Sequence, residues 1–161
     1  MHIAIYILLI VFFGIIAYQD IKMRLIHFVL PLLILVLGMV LNWNAISFIE
    51  QGKSLLFLVL NFVVLSAYFS IKKRQWVNPF QKMMGLGDVL FLLGVIPLFS
   101  FRNYIIFFVM GMLFSLLLFL VFKSKYQVDE TIPLAGYLSV FIIGMIGSSL
   151  VLNSHLLIKG L

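Results

Sequence analysis

The chain has 161 residues, of which 65% are hydrophobic and 10% charged, and its formal net charge is +6. A soluble domain is roughly half apolar and about a quarter charged, so this composition excludes a soluble domain. The absence of cysteine excludes a disulfide-stapled secreted module, and the apolar content excludes a disordered tail. The composition therefore predicts a protein that is embedded almost entirely in a lipid bilayer.

Six apolar segments follow one another along the chain, and about 20 apolar residues are enough for one membrane span. Leu, Ile, Val and Phe dominate every side of each segment, as in helices that face lipid or other spans. No repeat or linker separates the segments, so residues 1–161 are predicted to form a single membrane-embedded domain. The predicted fold is an all-α polytopic bundle of about six transmembrane helices. The segments are Ile3–Gln19, Leu25–Leu41, Ser54–Ile71, Met83–Phe101, Tyr104–Phe122 and Ile132–Leu152.

The first segment is predicted to be a retained span, with the N-terminus outside. It lacks the basic residues that precede the apolar part of a signal peptide, and its positive charges follow that part instead. In this orientation eight basic residues are cytoplasmic and three are outside, in agreement with the positive-inside rule. Orientation thus explains the positive charge, and no nucleic-acid partner is expected. The cytoplasmic set is Lys22, Arg24, Lys72, Lys73, Arg74, Lys82, Lys123 and Lys125, and the outer set is Lys53, Arg102 and Lys159.

Asp20 and Asp88 are the two acidic residues predicted to lie inside the membrane boundary. If the first span extends to Arg24, whose side chain can snorkel, Asp20 lies about 6 Å inside the level of that residue. A fourth span that began at Asp88 would be too short, so we expect it to begin near Met83. A continuous helix then places Asp88 about 9 Å below Lys82. Ionisable groups at such depth are functional candidates because burying them is costly.

Simpler roles exist for both aspartates. Asp20 precedes Arg24 by four residues, which is the spacing of an ion pair on one helix face. Asp88 could cap the N-terminus of the fourth helix. His27 could act as a base, but we interpret it as an interfacial residue. Glu50 is interpreted as a solvated loop charge on the outer side. Asp129 and Glu130 are interpreted as solvated or capping residues of a polar loop.

Asp88 closes the sequence Gly85-Leu86-Gly87-Asp88. Two glycines beside a carboxylate leave room for another chain to approach, and an extended peptide could pair with this segment through its main chain. With the second intramembrane aspartate, this segment resembles the type IV prepilin peptidase family, including its short preflagellin-peptidase-like members. These proteins are GxGD aspartyl proteases of membranes. The matching pieces are Asp20 with Lys22 and Arg24, Lys82-Met-Met-Gly-Leu-Gly-Asp88-Val, and Ile132-Pro133-Leu-Ala-Gly-Tyr137-Leu.

The resemblance implies that Asp20 and Asp88 are the catalytic pair, and that Gly85, Gly87 and Pro133 contact the substrate. It implies a pilin-like precursor whose short basic leader is removed at the cytoplasmic face of a prokaryotic cell membrane. Two neighbouring carboxylates cannot both ionise easily, so one of them retains a proton. The ionised carboxylate would accept a proton from the attacking water, and the protonated one would donate to the carbonyl oxygen or the departing amine.

The chain departs from the family pattern at two places. Many members carry Pro-Asn where this chain has His27-Phe28, and many carry Lys where it has Leu90. Both departures indicate a divergent subfamily. Long bifunctional members also contain a cysteine-rich, zinc-binding insert linked to N-methylation of the product. Because this chain has no cysteine and a short first loop, we expect no zinc, no other cofactor and no methyltransferase activity of that kind.

Three other functions remain open on the sequence alone. A relative of presenilin or signal peptide peptidase would also carry GxGD, but it needs more spans than this chain can hold. A small transporter or proton pathway could use the same two aspartates, although transporter sites usually lie near the bilayer midplane and not near one interface. A catalytically silent scaffold for a secretion or pilus machine is the third alternative.

Overall fold

A computed structural model describes residues 2–43, 45–73, 85–123 and 132–151. Within these ranges the ordered backbone consists of six α-helices and one short 3₁₀ helix, without strands. This confirms the predicted all-α bundle. The helices are α1 His2–Met23, α2 Val29–Leu41, α3 Phe48–Lys73, α4 Leu86–Gly94, the 3₁₀ helix Ile96–Leu98, α5 Phe101–Lys123 and α6 Leu134–Val151.

Each predicted apolar segment overlaps mainly one α-helix of the described residues, but the helices differ in length, and α1, α3 and α5 extend beyond their predicted segments at both ends. In the described part of the chain, α1, α3 and α5 are long and apolar enough to cross a membrane. Their spanning parts have mean hydropathies of 2.1, 2.2 and 2.9, respectively. The other three are shorter apolar helices: α2, α4 with its 3₁₀ helix, and α6. The protein is therefore a membrane helix bundle in which long and short apolar helices are mixed.

The fourth helix begins later than predicted. Gly85 has extended backbone angles (φ −63°, ψ 145°), so α4 begins at Leu86 and not near Met83. The continuous helix through residue 85, on which the predicted depth of Asp88 depends, is therefore wrong. Asp88 instead lies in the first turn of α4. Residues 74–84, which include Lys82, lie outside the described part of the chain.

Helix α4 ends at Gly94, three residues before Pro97. Because proline has no N–H, the α-helix cannot continue, and the chain passes from Gly94 into the 3₁₀ helix. Tyr104 (0% exposed) donates its hydroxyl to the carbonyl oxygen of Leu92 at 3.1 Å. Asn42 (3% exposed) donates its side-chain amide to the carbonyl oxygen of Pro97 at 2.9 Å. These two bonds satisfy carbonyl groups that would otherwise be costly in apolar surroundings.

The core lies where α1 and α6 pack along each other and α2 packs against α4. The ring of Phe13 on α1 meets that of Phe91 on α4 edge to face, with centroids 5.9 Å apart. By contrast, α3 contacts mainly α5 and exposes most of its apolar side chains, as expected for a helix that faces lipid. The largest fully buried side chains are Tyr104, Phe13, Phe91, Phe107, Leu9, Ile16, Ile34, Leu58, Leu92, Leu138, Ile142 and Val95.

Candidate functional site

Asp20 lies in the last turn of α1, and it is 6% exposed. Its Oδ2 atom accepts a hydrogen bond of 2.6 Å from the backbone N–H of Gly136, which is 116 residues away in the sequence. Helix α1 ends at Met23, and Arg24 follows with a left-handed φ of 55°. The positive charge of Arg24 also attracts the Asp20 carboxylate. An interaction within α1 therefore explains only part of the surroundings of Asp20.

Asp88 is the third residue of α4 and links this helix to α6. Its Oδ2 atom accepts the backbone N–H of Gly85 at 3.2 Å, and its Oδ1 atom accepts the backbone N–H of Ala135 at 2.9 Å. Gly85 occupies the N-cap position, so the interpretation of Asp88 as the N-cap is wrong. The Asp88 carboxylate instead accepts the backbone N–H of the N-cap residue, Gly85, as the side chain of the third residue does in a capping box.

The two carboxylates meet at the N-terminus of α6, on the consecutive amides of Ala135 and Gly136. Amides in the first turn of a helix have no acceptor within the helix, and the helix dipole favours negative charge there. Because the two donors are neighbours in the chain, the bonded oxygens of Asp20 and Asp88 are at most roughly 9 Å apart. The charges of Asp20 and Asp88 also repel each other at this separation. The structure thus brings together the two predicted catalytic residues.

The three residues predicted to contact substrate have different surroundings. Gly85 is exposed beside Asp88. Gly87 is half-buried and packs against the side chain of Ile26, to which a Cβ at residue 87 would approach within 3.0 Å. Pro133 is buried, and its carbonyl oxygen accepts the N–H of Tyr137 in the first turn of α6. Contact of these residues with a substrate stays a prediction.

Among the residues given other roles, Glu50 differs from expectation. Glu50 is not in a loop but in the first turn of α3, where Oε1 accepts the Lys53 ammonium at 2.9 Å and Oε2 accepts the Phe101 N–H at 3.2 Å. The predicted loop position of Glu50 is therefore wrong. Its side chain is 33% exposed and joins the N-termini of α3 and α5. His27 is exposed, and its backbone N–H donates to the side chain of Gln19 at 3.3 Å. Asp129 and Glu130 lie outside the described residues.

Ala135 and Gly136 are the parts of this site that sequence reasoning missed. Both contribute main-chain N–H groups, and a main-chain donor leaves no signature in the residue type. Only the glycine carried a signal, because a residue without a side chain permits close approach of two helices. Within the described residues, no group of three or more His, Cys, Asp or Glu side chains could hold a metal ion. Two carboxyl groups held on adjacent amides can carry out proton transfer.

A family model described as the type IV leader peptidase family matches residues 7–121. The match covers 115 of the 161 residues and includes both Asp20 and Asp88. Ala135 and Gly136, which donate to the two carboxylates, lie beyond it. No curated protein and no solved structure matches the chain.

Proposed function

The chain belongs to the type IV leader peptidase family, and from this premise we propose that it is a membrane aspartyl endopeptidase. Its substrate would be a pilin-like precursor with a short basic leader and a hydrophobic helix, and its catalytic pair would be Asp20 and Asp88. One observation carries the proposal. The carboxylates of Asp20 and Asp88, from two different helices, each accept one of two consecutive backbone N–H groups at the start of a third helix. A pair held in this way suits joint acid and base catalysis.

The reaction would be hydrolysis of the peptide bond between the leader and the hydrophobic helix. One carboxyl group is ionised and the other protonated, because two neighbouring negative charges are unfavourable. The ionised group accepts a proton from a water molecule whose oxygen bonds to the scissile carbonyl carbon. The protonated group donates its proton to the carbonyl oxygen, which gives a tetrahedral carbon with two hydroxyl groups. As the C–N bond breaks, the group that took the proton from water donates it to the departing amine, and the other group takes a proton back from one of the hydroxyls as the new carboxyl group forms. The products are a leader with a new carboxyl terminus and a mature chain with a new amino terminus.

The surroundings of the pair support a substrate that approaches from the edge of the bundle. Gly85 is exposed next to Asp88, and it presents no side chain of its own to an extended peptide that approaches this carboxylate. We propose that Gly87 and Pro133 contact the same extended peptide. The hydrophobic helix of the precursor would remain in the bilayer. We place the reaction at the cytoplasmic face of a prokaryotic cell membrane, where the predicted orientation puts the C-terminal end of α1.

The test is leader removal in cells that co-express a pilin-like precursor from the same genome. We expect Asp20→Asn and Asp88→Asn each to lower cleavage by at least about 100-fold, because an amide keeps the size of the side chain but cannot exchange the proton. Glu50→Gln is the matched control: it makes the same chemical change in an acid at a different helix junction, and leader removal should persist. Immunoblots of the membrane fraction establish that all variants accumulate equally.

Two outcomes would contradict the proposal. Leader removal that survives either aspartate substitution excludes the two-carboxylate mechanism. Cation-coupled uptake that both substitutions abolish, in a chain that leaves the precursor intact, would indicate a transporter instead.

A further inference from the structure

The packing of α1 against α6 is tight where Gly136 meets Asp20. A Cβ atom at residue 136 would lie 3.0 Å from Cγ1 of Ile21, 3.1 Å from Oδ2 of Asp20 and 3.2 Å from its Cβ atom. Asp20 and Gly136 are both buried, and α1 and α6 share the largest helix contact in the described part of the chain. A side chain at residue 136 therefore has no free volume to enter, and its atoms would press on the carboxylate itself.

The same segment sets the spacing of the two carboxylates. The N–H of Ala135 donates to Asp88 and the N–H of Gly136 donates to Asp20. Planar peptide bonds and regular helical angles hold two consecutive amides in a nearly invariant relative position. The first turn of α6 thus acts as a common support for side chains that come from α1 and α4.

We propose that Gly136 is a positioning residue for peptide hydrolysis at this site. Its lack of a side chain lets the α6 backbone reach Asp20, and its N–H, with that of Ala135, holds both carboxylates at a fixed spacing. This inference rests on the proposed peptidase function, because it concerns the same pair of carboxylates. A Cβ atom at residue 136 requires Asp20 to move by a few tenths of an ångström, and a displacement of 1 Å can cost about 100-fold in rate.

The first test compares two alanine substitutions on α6. Gly136→Ala adds a methyl group against Asp20, whereas at Gly144 a Cβ atom would meet no atom within 4 Å. Both changes favour the helical conformation equally, so Gly144→Ala controls for helix propensity. With purified full-length protein and a purified pilin-like precursor, we expect Gly136→Ala to lower kcat by roughly 3- to 10-fold with KM nearly unchanged. Gly144→Ala should keep both constants.

The second test measures the spacing without any cleavage. The chain has no cysteine, so Asp20→Cys with Asp88→Cys places the only two thiols at the site. A short bifunctional maleimide should link these thiols, and adding Gly136→Ala should slow the linking several-fold. Adding Gly144→Ala should leave the linking rate unchanged, because that substitution does not touch α1.

The two tests separate failure of this inference from failure of the proposed function. If the Gly136→Ala variant keeps the kcat of the wild type, or if the substitution leaves the rate of cross-linking unchanged, Gly136 is not a positioning residue. If the wild-type chain leaves the precursor intact but Gly136→Ala still slows cross-linking, the proposed peptidase function is wrong. In that case α6 still sets the spacing of the two carboxylates.

Discussion

Gly94, the last residue of α4, contacts the first turn of α2 and cannot accept a side chain. A Cβ atom at residue 94 would lie 2.6 Å from the carbonyl oxygen of Pro31, 3.2 Å from its carbonyl carbon and 3.3 Å from its Cα atom. All three neighbours are backbone atoms, so no change of rotamer relieves the overlap. Gly94→Ala therefore requires α2 and α4 to move apart.

The size of this movement follows from the contact distance. Ordinary contact between a methyl carbon and an oxygen begins near 3.4 Å, so the shortest contact of 2.6 Å must lengthen by about 0.8 Å. Overpacking of this kind costs about 1–3 kcal/mol, and the better helix propensity of alanine offsets at most about 1 kcal/mol. We expect a net loss of about 1–2 kcal/mol in the free energy of unfolding. Because α4 also carries Asp88, leader removal should fall as well.

The assay is unfolding of the purified full chain in mixed micelles with a rising fraction of denaturing detergent, followed by circular dichroism. Gly14→Ala on α1 is the control, since a Cβ atom there would meet nothing within 4 Å. This control should be neutral or should stabilise by up to about 1 kcal/mol. A Gly94→Ala chain as stable as the wild type, or a Gly14→Ala chain destabilised as much, would refute the steric argument.

The remaining predictions concern the two buried bonds at the interrupted end of α4. Tyr104→Phe should lower the free energy of unfolding by about 1–3 kcal/mol, because the carbonyl oxygen of Leu92 loses its buried donor. Asn42→Ala should cost a similar amount by leaving the carbonyl oxygen of Pro97 without the Asn42 amide. Asn61→Ala is the control, because Asn61 donates only to a carbonyl of its own helix, and its loss should stay within about 0.5 kcal/mol. The same detergent titration measures the free energy of unfolding of all three variants. If Asn42→Ala and Asn61→Ala lower it equally, the bond from Asn42 to Pro97 does not stabilise the end of α4 as described.

The helices were predictable from the sequence because each apolar segment must form its backbone hydrogen bonds internally in a bilayer. Their ends were less predictable. The helix expected to begin near Met83 begins at Leu86, because Gly85 adopts an extended N-cap conformation and Asp88 bonds back to it. Glu50, expected in a loop, lies in the first turn of α3 and accepts the N–H of Phe101. Both differences arise from side chains that pair with backbone amides, which hydrophobic patterning does not report.

Composition and patterning by themselves determined the class of this protein, the apolar segments that the described helices overlap and the two aspartates most costly to bury. Only the tertiary structure decided what holds those aspartates: the amides of Ala135 and Gly136, which lie 47 and 116 residues away from their respective partners, Asp88 and Asp20. The physical reason is that every residue except proline has the same backbone N–H. Which amide meets a given carboxylate therefore depends on how the helices pack, and not on the local sequence around either residue.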